Sequence, residues 1–294
     1  MKRQNKALAL WSLLRMPQWT KNVFVLAPLL TGQKLFQIDA VWMSAWAVIV
    51  FSLSASFIYI VNDILDRQRD CLHPTKKSRP LAAGKVTPIS AAALALLCLA
   101  AFFLSFVYSG LPSKVALVIA LYAALNMAYC FGLKNVPILE FMIVASGYVL
   151  RVIAGCFAIS VVPSMWLLAT TASVALLIVV GKRRGEITDG EQGMDRPSLK
   201  LYTPEILDMM MTILTSITIA TYMLFTMSDY AVERYQSHYL VATSAFVVFG
   251  TFRYLLLVKT SNGHAAPTDF ILSDPGILIT VVLWALSLTV ILYN

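Results

Sequence analysis

Asn62, Asp63, Asp66 and Asp70 stand in the run Asn62-Asp63-Ile64-Leu65-Asp66-Arg67-Gln68-Arg69-Asp70, at the end of a long apolar segment. His73, Lys76, Lys77 and Arg79 follow at once. On a helix the four oxygen-bearing side chains fall within about 100° of arc, in the order Asn62, Asp66, Asp70, Asp63. Such donors suit Mg²⁺, a hard cation that takes a few carboxylates and shares its other positions with water and substrate phosphate. The basic run just downstream suits the phosphate. A solvated acidic helix end would explain carboxylates alone. It does not explain four oxygen donors on one face followed by cations, and ionisable groups concentrated in a membrane protein mark function.

A second charged stretch reads Gly181-Lys182-Arg183-Arg184-Gly185-Glu186-Ile187-Thr188-Asp189. On a helix Lys182, Glu186 and Asp189 lie within about 60° of one another. The competing reading is an ordinary basic flank in which Lys182 and Glu186 pair at i,i+4. The segment Arg15-Met16-Pro17-Gln18-Trp19-Thr20-Lys21-Asn22 carries interfacial anchors and by itself no functional claim. Lys134 stands in a short turn after Tyr129, where a lysine is commonly topological. Arg151 lies well inside an apolar stretch, where a guanidinium requires a polar cavity, a partner or a snorkelling path. Gly147, Ala154 and Gly155 around it permit close helix approach. Glu140 shares its face but lies about 16 Å away by helix rise, too far to pair with it.

The elements that must hold these groups are helices in a membrane. The chain is 59% hydrophobic and 13% charged, against about 25% charged in soluble domains, and its mean hydropathy is +0.75. The fold class expected is all-α: a polytopic membrane protein, one integral domain over 1–294, with about nine transmembrane helices at 22–38, 41–61, 88–107, 113–131, 136–159, 163–181, 205–226, 238–258 and 276–293. The first is interrupted by Pro28, Gly32 and Lys34. With a cytoplasmic N-terminus, eighteen of the 23 Lys and Arg fall on the cytoplasmic side, and only Lys34, Lys114 and Arg234 fall opposite. The loops near 62–87 and 182–204 are therefore cytoplasmic and the C-terminus lies on the other side. The net charge of +8 reflects topology and anionic headgroups, and needs no nucleic acid. No cleavable signal is evident; the basic start reads as an amphipathic surface helix. Cys71, Cys98, Cys130 and Cys156 show neither disulfide nor zinc spacing.

The Asn-Asp-x-x-Asp-x-x-x-Asp pattern at 62–70 resembles the signature of the UbiA superfamily of intramembrane prenyltransferases. Within it the chain is most similar to the decaprenyl-phosphate phosphoribosyltransferase subgroup. The supporting matches are Gln18-Trp19-Thr20-Lys21-Asn22, His73-Pro74-Thr75-Lys76, Arg79-Pro80-Leu81-Ala82-Ala83-Gly84, Ala145 to Arg151 with Ile153-Ala154-Gly155, Lys182-Arg183 with Glu186, and Arg253-Tyr254 followed by Pro267, Asp269 and Asp274. The resemblance implies a UbiA-like bundle with a cytoplasm-facing cavity in a bacterial inner (plasma) membrane. It implies an Mg²⁺-dependent transfer of phosphoribosyl from phosphoribosyl diphosphate to a polyprenyl phosphate, for lipid-linked pentose and cell-wall polysaccharide synthesis. Asp63, Asp66 and Asp70 would be the catalytic carboxylates, and Asn62, Asp66 and Asp70 the metal ligands. Tyr59, Asn62, Lys76, Arg79 and Glu186 would bind the donor, and Lys21, Lys134, Arg151, Lys182 and Arg183 the acceptor phosphate. Membrane lipids are the other partners, and a homo-oligomer is left open.

Two departures bear on this. The subgroup reads Leu-Arg-Pro-x-Gln-Trp, whereas Leu14-Arg15-Met16-Pro17-Gln18-Trp19 shifts the proline by one. Prenyl-diphosphate users carry a second Asp-x-x-x-Asp where this chain has Lys182, Arg183 and Glu186. Cations there would screen two anions that must approach each other. A prenyltransferase acting on an aromatic acceptor and a non-catalytic lipid transporter remain the alternatives.

Overall fold

The computed structural model describes residues 2–73, 76–188, 197–260 and 273–293. Pro74, Thr75, Asp189, Pro267 and Asp269, named above, lie outside the described residues. The described chain is helical, without strands. Its helices are α1 (Lys2–Leu13), α2 (Ala27–Thr31), α3 (Ile38–Leu65), α4 (Arg67–Leu72), α5 (Pro88–Ser109), α6 (Ser113–Phe131), α7 (Leu139–Ala158), α8 (Met165–Thr188), α9 (Pro204–Met227), α10 (Asp229–Tyr235), α11 (Ser244–Thr260) and α12 (Pro275–Tyr293).

Among the described residues, eight stretches are long and apolar enough to cross a membrane: α3, α5, α6, α7, α8, α9, the 3₁₀-led stretch Tyr239–Thr260, and α12. The first expected span is not among them. Its residues form the end of a 3₁₀ stretch, Met16–Leu26, and the five-residue α2. Pro17 and Pro28 withhold amide donors and Gly32 closes the turn after α2, so no long α-helix is sustained. Helix starts follow a repeated grammar. Thr87 accepts from the Ser90 amide at 3.2 Å and Thr203 from the Ile206 amide at 3.3 Å, each with proline next in sequence. Gly110, at φ 68°, ends α5 in the left-handed region.

The chain forms two compact units, one of residues 1–134 and 150–162, the other of 135–149 and 163–294. The first unit packs Val25, Leu29, Phe51, Ala55, Ile58, Val115, Ile119, Tyr122, Leu150 and Ala154 into one core. A smaller cluster joins Leu13 of α1 to Ile60, Leu81, Val86, Ala91 and Ala95. The second unit is built around Phe141, Leu177, Val180, Leu199, Tyr202, Leu207, Met211 and Tyr254.

Candidate active site

In the first unit, α3 presents one polar stripe, Ser52, Ser56, Tyr59 and Asp63, at helical spacings of four, three and four. The segment 15–22 binds that stripe rung by rung. The Asn22 amide donates to Ser52 at 2.7 Å and the Trp19 indole N–H to Ser56 at 3.0 Å. Arg15 lies over the Tyr59 ring, 5.3 Å from its centre, and donates to Asp63. Ser56 also donates to the Leu14 carbonyl at 2.8 Å. A 3₁₀ segment of period three thus matches an α-helix of period 3.6 over two turns, which carries Arg15 to the aspartates.

The aspartates do not lie on one uninterrupted helix. α3 ends at Leu65, Asp66 sits at φ −87°, ψ 0°, and α4 starts at Arg67. The helical register nonetheless continues. The Asp66 amide donates to the Asn62 carbonyl and the Asp70 amide to the Asp66 carbonyl, both at 2.9 Å. Two sub-faces result, in the order the helical wheel predicts. Asn62 accepts from the Cys130 thiol at 3.1 Å and Asp66 from Lys134 at 2.5 Å. Asp63 and Asp70 share Arg79, at 3.4 and 2.7 Å, and Asp63 also takes Arg15. Three carboxylates therefore meet three cations. Asp63, Asp70 and Lys134 are buried, whereas the side chains of Arg15 and Arg79 keep 25% and 29% of their exposure. His73 is buried and accepts the Lys76 amide at 3.3 Å, which fixes the backbone leading to Arg79.

Arg151 is not at a rim. It is buried inside the first unit, donating to Asn22 at 2.7 Å and to the Tyr122 hydroxyl at 3.3 Å, with the Phe51 and Tyr122 rings 4.8 and 5.0 Å from its guanidinium carbon. These contacts tie α7 to segment 16–26, α3 and α6, satisfying a guanidinium by hydrogen bonds and ring faces. Gly155, one turn on, lets the backbone at Val25 come in; a Cβ there would strike the Val25 carbonyl. Lys21 is partly exposed beside Asn22.

In the second unit Arg183, also expected at a rim, is buried. It donates to Glu140 at 3.1 Å and to Glu186 at 2.5 Å. Glu140 is wholly buried. The expected Lys182–Glu186 pair is present but long, at 3.9 Å, and the Lys182 side chain is 45% exposed. Arg184 pairs with Asp208 at 3.1 Å. Next to Glu140, Ile138 holds φ 66°, a strained value for a β-branched residue. The Tyr202 hydroxyl accepts the Ile138 amide at 2.6 Å and its ring stacks on Phe141. Burial pushes the Tyr202 phenol up, so it stays protonated at neutral pH.

Asn62, Asp66 and Asp70 are a hard-oxygen set of the kind Mg²⁺ takes, and their chemistry fits the ion. Among the described residues, no three His, Cys, Asp or Glu side chains converge as ligands of one ion; Asp63, Asp66 and Asp70 are held by cations instead. Arg15 has no local spacing to the aspartates that marks it as functional, although it lies in the segment that carries the resemblance. Glu140 likewise has a partner that no local spacing reveals, 43 residues away.

Residues 23–273 match the family model for the UbiA prenyltransferase family. The chain is 35% identical over 299 residues to the decaprenyl-phosphate phosphoribosyltransferase of Corynebacterium glutamicum, covering 99% of this chain and 88% of that one. It is 34% identical over 280 residues to the protein of the same name from Mycobacterium tuberculosis, covering 92% and 90%. Its fold is similar to that of a UbiA homolog from Archaeoglobus fulgidus solved with DMAPP and Mg²⁺, at TM-score 0.71 and 15% identity over 95% of this chain and 98% of that one.

Proposed function

Because the chain belongs to the UbiA prenyltransferase family, we propose that it transfers 5-phosphoribosyl from phosphoribosyl diphosphate to a polyprenyl phosphate at a cytoplasmic face of a bacterial inner membrane. The observation that carries this reading is the cluster of Asp63, Asp66 and Asp70 with Arg15, Arg79 and Lys134. Carboxylates and phosphate-binding cations in one place suit a donor diphosphate. Asn62, Asp66 and Asp70 are the proposed Mg²⁺ ligands; the bound ion would offset the diphosphate charge and stabilise the departing pyrophosphate. Tyr59, Lys76 and Arg79 orient the donor. A lipid phosphate oxygen attacks ribose C1, the C1–O bond to the diphosphate breaks, and pyrophosphate leaves with the bonding pair, inverting the anomeric centre. That oxygen is already ionised near neutral pH, so no general base is required. Lys21 and Lys182 are the proposed contacts of the acceptor phosphate; Lys134, expected with them, is paired with Asp66 and is assigned to the donor cluster, while Arg151 and Arg183 serve as internal braces.

The test is direct. Purified protein in detergent is given radiolabelled phosphoribosyl diphosphate, polyprenyl phosphate and Mg²⁺, and label is followed into the organic phase. Metal-dependent extraction of label supports the reading. Pyrophosphate release only with a prenyl diphosphate and an aromatic acceptor would replace it with the prenyltransferase alternative.

A further inference from the structure

We infer that Arg15, with Arg79 and Lys134, is a resident counter-cation of the aspartate cluster, and that the two arginines turn from carboxylate to donor phosphate as a divalent metal brings its own charge to the cluster, so that metal and diphosphate load together. The inference rests on the donor-site reading above and gives Arg15 a part in it. Asp63 and Asp70 are buried, with side-chain exposures of 4% and 6%. Arg15 and Arg79 reach them from the wetter side, with more than a fifth of each side chain exposed. Arms anchored outside can withdraw without opening the core.

The backbone supports the assignment. Arg15 holds φ 50°, ψ 45°, an uncommon conformation for arginine. It is fixed there on both sides: Ser56 binds the carbonyl of Leu14, and the Gln18 amide donates to the Arg15 carbonyl at 2.7 Å. Strain maintained by neighbouring bonds is commonly found at functional positions. The backbone is held while the side chain makes an ion pair to Asp63 and lies over the Tyr59 ring.

Charge explains the coupling. In the described ion pairs three aspartates face three cations, which offset much of their charge. A metal arriving alone meets Arg79 and Lys134 at ion-pair distance from its ligands Asp70 and Asp66, with Arg15 on the adjacent Asp63 adding a third repelling charge. A diphosphate arriving alone meets three carboxylates. Arriving together, each supplies the partner that the other displaces.

Equilibrium dialysis of radioactive Mn²⁺ at buffered free metal, with and without pyrophosphate, tests this on the full chain in detergent. Wild type is expected to bind Mn²⁺ weakly alone and about tenfold tighter with pyrophosphate. Arg15→Gln is expected to bind Mn²⁺ alone several-fold tighter, with the pyrophosphate effect reduced, because a repelling charge is gone. Arg15→Lys should behave as wild type. If Arg15→Gln binds Mn²⁺ no tighter, or keeps the full pyrophosphate effect, the inference is overturned. Should that variant not fold, Lys134→Gln carries the same expectation, and failure of both to fold makes these pairs structural and rejects the proposal. Asp66→Asn separates the two levels. Undiminished Mn²⁺ binding in that variant would remove the metal site itself, whatever Arg15 does.

Discussion

Replacing Arg183 with Met would leave Glu140 wholly buried and without its guanidinium, and Glu186 without its 2.5 Å partner. Removing one member of a buried pair costs about 3–5 kcal/mol, because the remaining carboxylate must stay desolvated or take up a proton. The upper end applies here: the two side chains are 4% and 0% exposed, so solvent screens little of the loss. The apparent melting temperature in detergent should fall by on the order of 10 °C. The double variant Glu140→Gln with Arg183→Met removes both charges, and most of the loss should return. A double-mutant cycle on thermal unfolding, followed by tryptophan fluorescence, gives the coupling energy directly. The same four proteins can be assayed for the acceptor KM. If Arg183→Met kept wild-type stability while its acceptor KM rose steeply, Arg183 would be a phosphate ligand and the brace assignment would be wrong. A double variant no more stable than Arg183→Met would refute the pairing.

Asp66→Asn should abolish transfer while the protein remains folded, since the amide still accepts from Lys134 but no longer offers a carboxylate; full Mg²⁺-dependent turnover would end the metal assignment. Lys76→Ala should raise the donor KM more than the acceptor KM in initial-rate kinetics, and unchanged values would return it to a topological role. Gly155→Ala should destabilise the protein by about 1–3 kcal/mol in thermal unfolding, because its Cβ lands on the Val25 carbonyl and within 3.2 Å of Pro28. Asp274 caps α12 through the Ile277 amide at 2.9 Å, and its hydrogen bond to Arg253 holds its carboxyl below the usual aspartate range. Its contribution is thus complete above the ordinary aspartate pKa and is lost as pH falls through the lower folded value; an Asp274→Asn protein whose acid unfolding matches wild type would contradict this.

The apolar spans were legible because about twenty consecutive apolar residues have no other stable home. Their ends were less so. α3 runs to Leu65, past the apolar span expected to end at 61 and into the aspartate run that the sequence already reads as helical, where Asn62 and Asp63 find partners in Cys130 and Arg15. The order of the four oxygen donors on the helical wheel survived the break at Asp66, since the i→i+4 bonds run through it. The segment expected as a first span is not one long helix for a local reason, Pro28 and Gly32, and at its start Asn22 is held by a side-chain bond to Ser52. Partners were the least visible feature. Arg15 and Asp63 are 48 residues apart and Arg183 and Glu140 43, and no periodicity encodes such distances.

That gap changes the electrostatic argument for the reaction. From sequence, the second charged stretch looked like a reservoir of cations able to screen two anions. In the described ion pairs, however, Lys182, Arg183 and Arg184 of that stretch meet Glu186, Glu140 and Asp208, so much of that charge is already engaged. In the aspartate cluster, too, the described ion pairs set three carboxylates against three cations. Cations engaged in this way reach a phosphate only if their carboxylates acquire another partner. A divalent metal is such a partner, which makes anion binding in the cluster conditional on metal rather than merely strengthened by it. Pyrophosphate retained equally well with and without Mn²⁺ would show instead that cations outside these pairs do the screening.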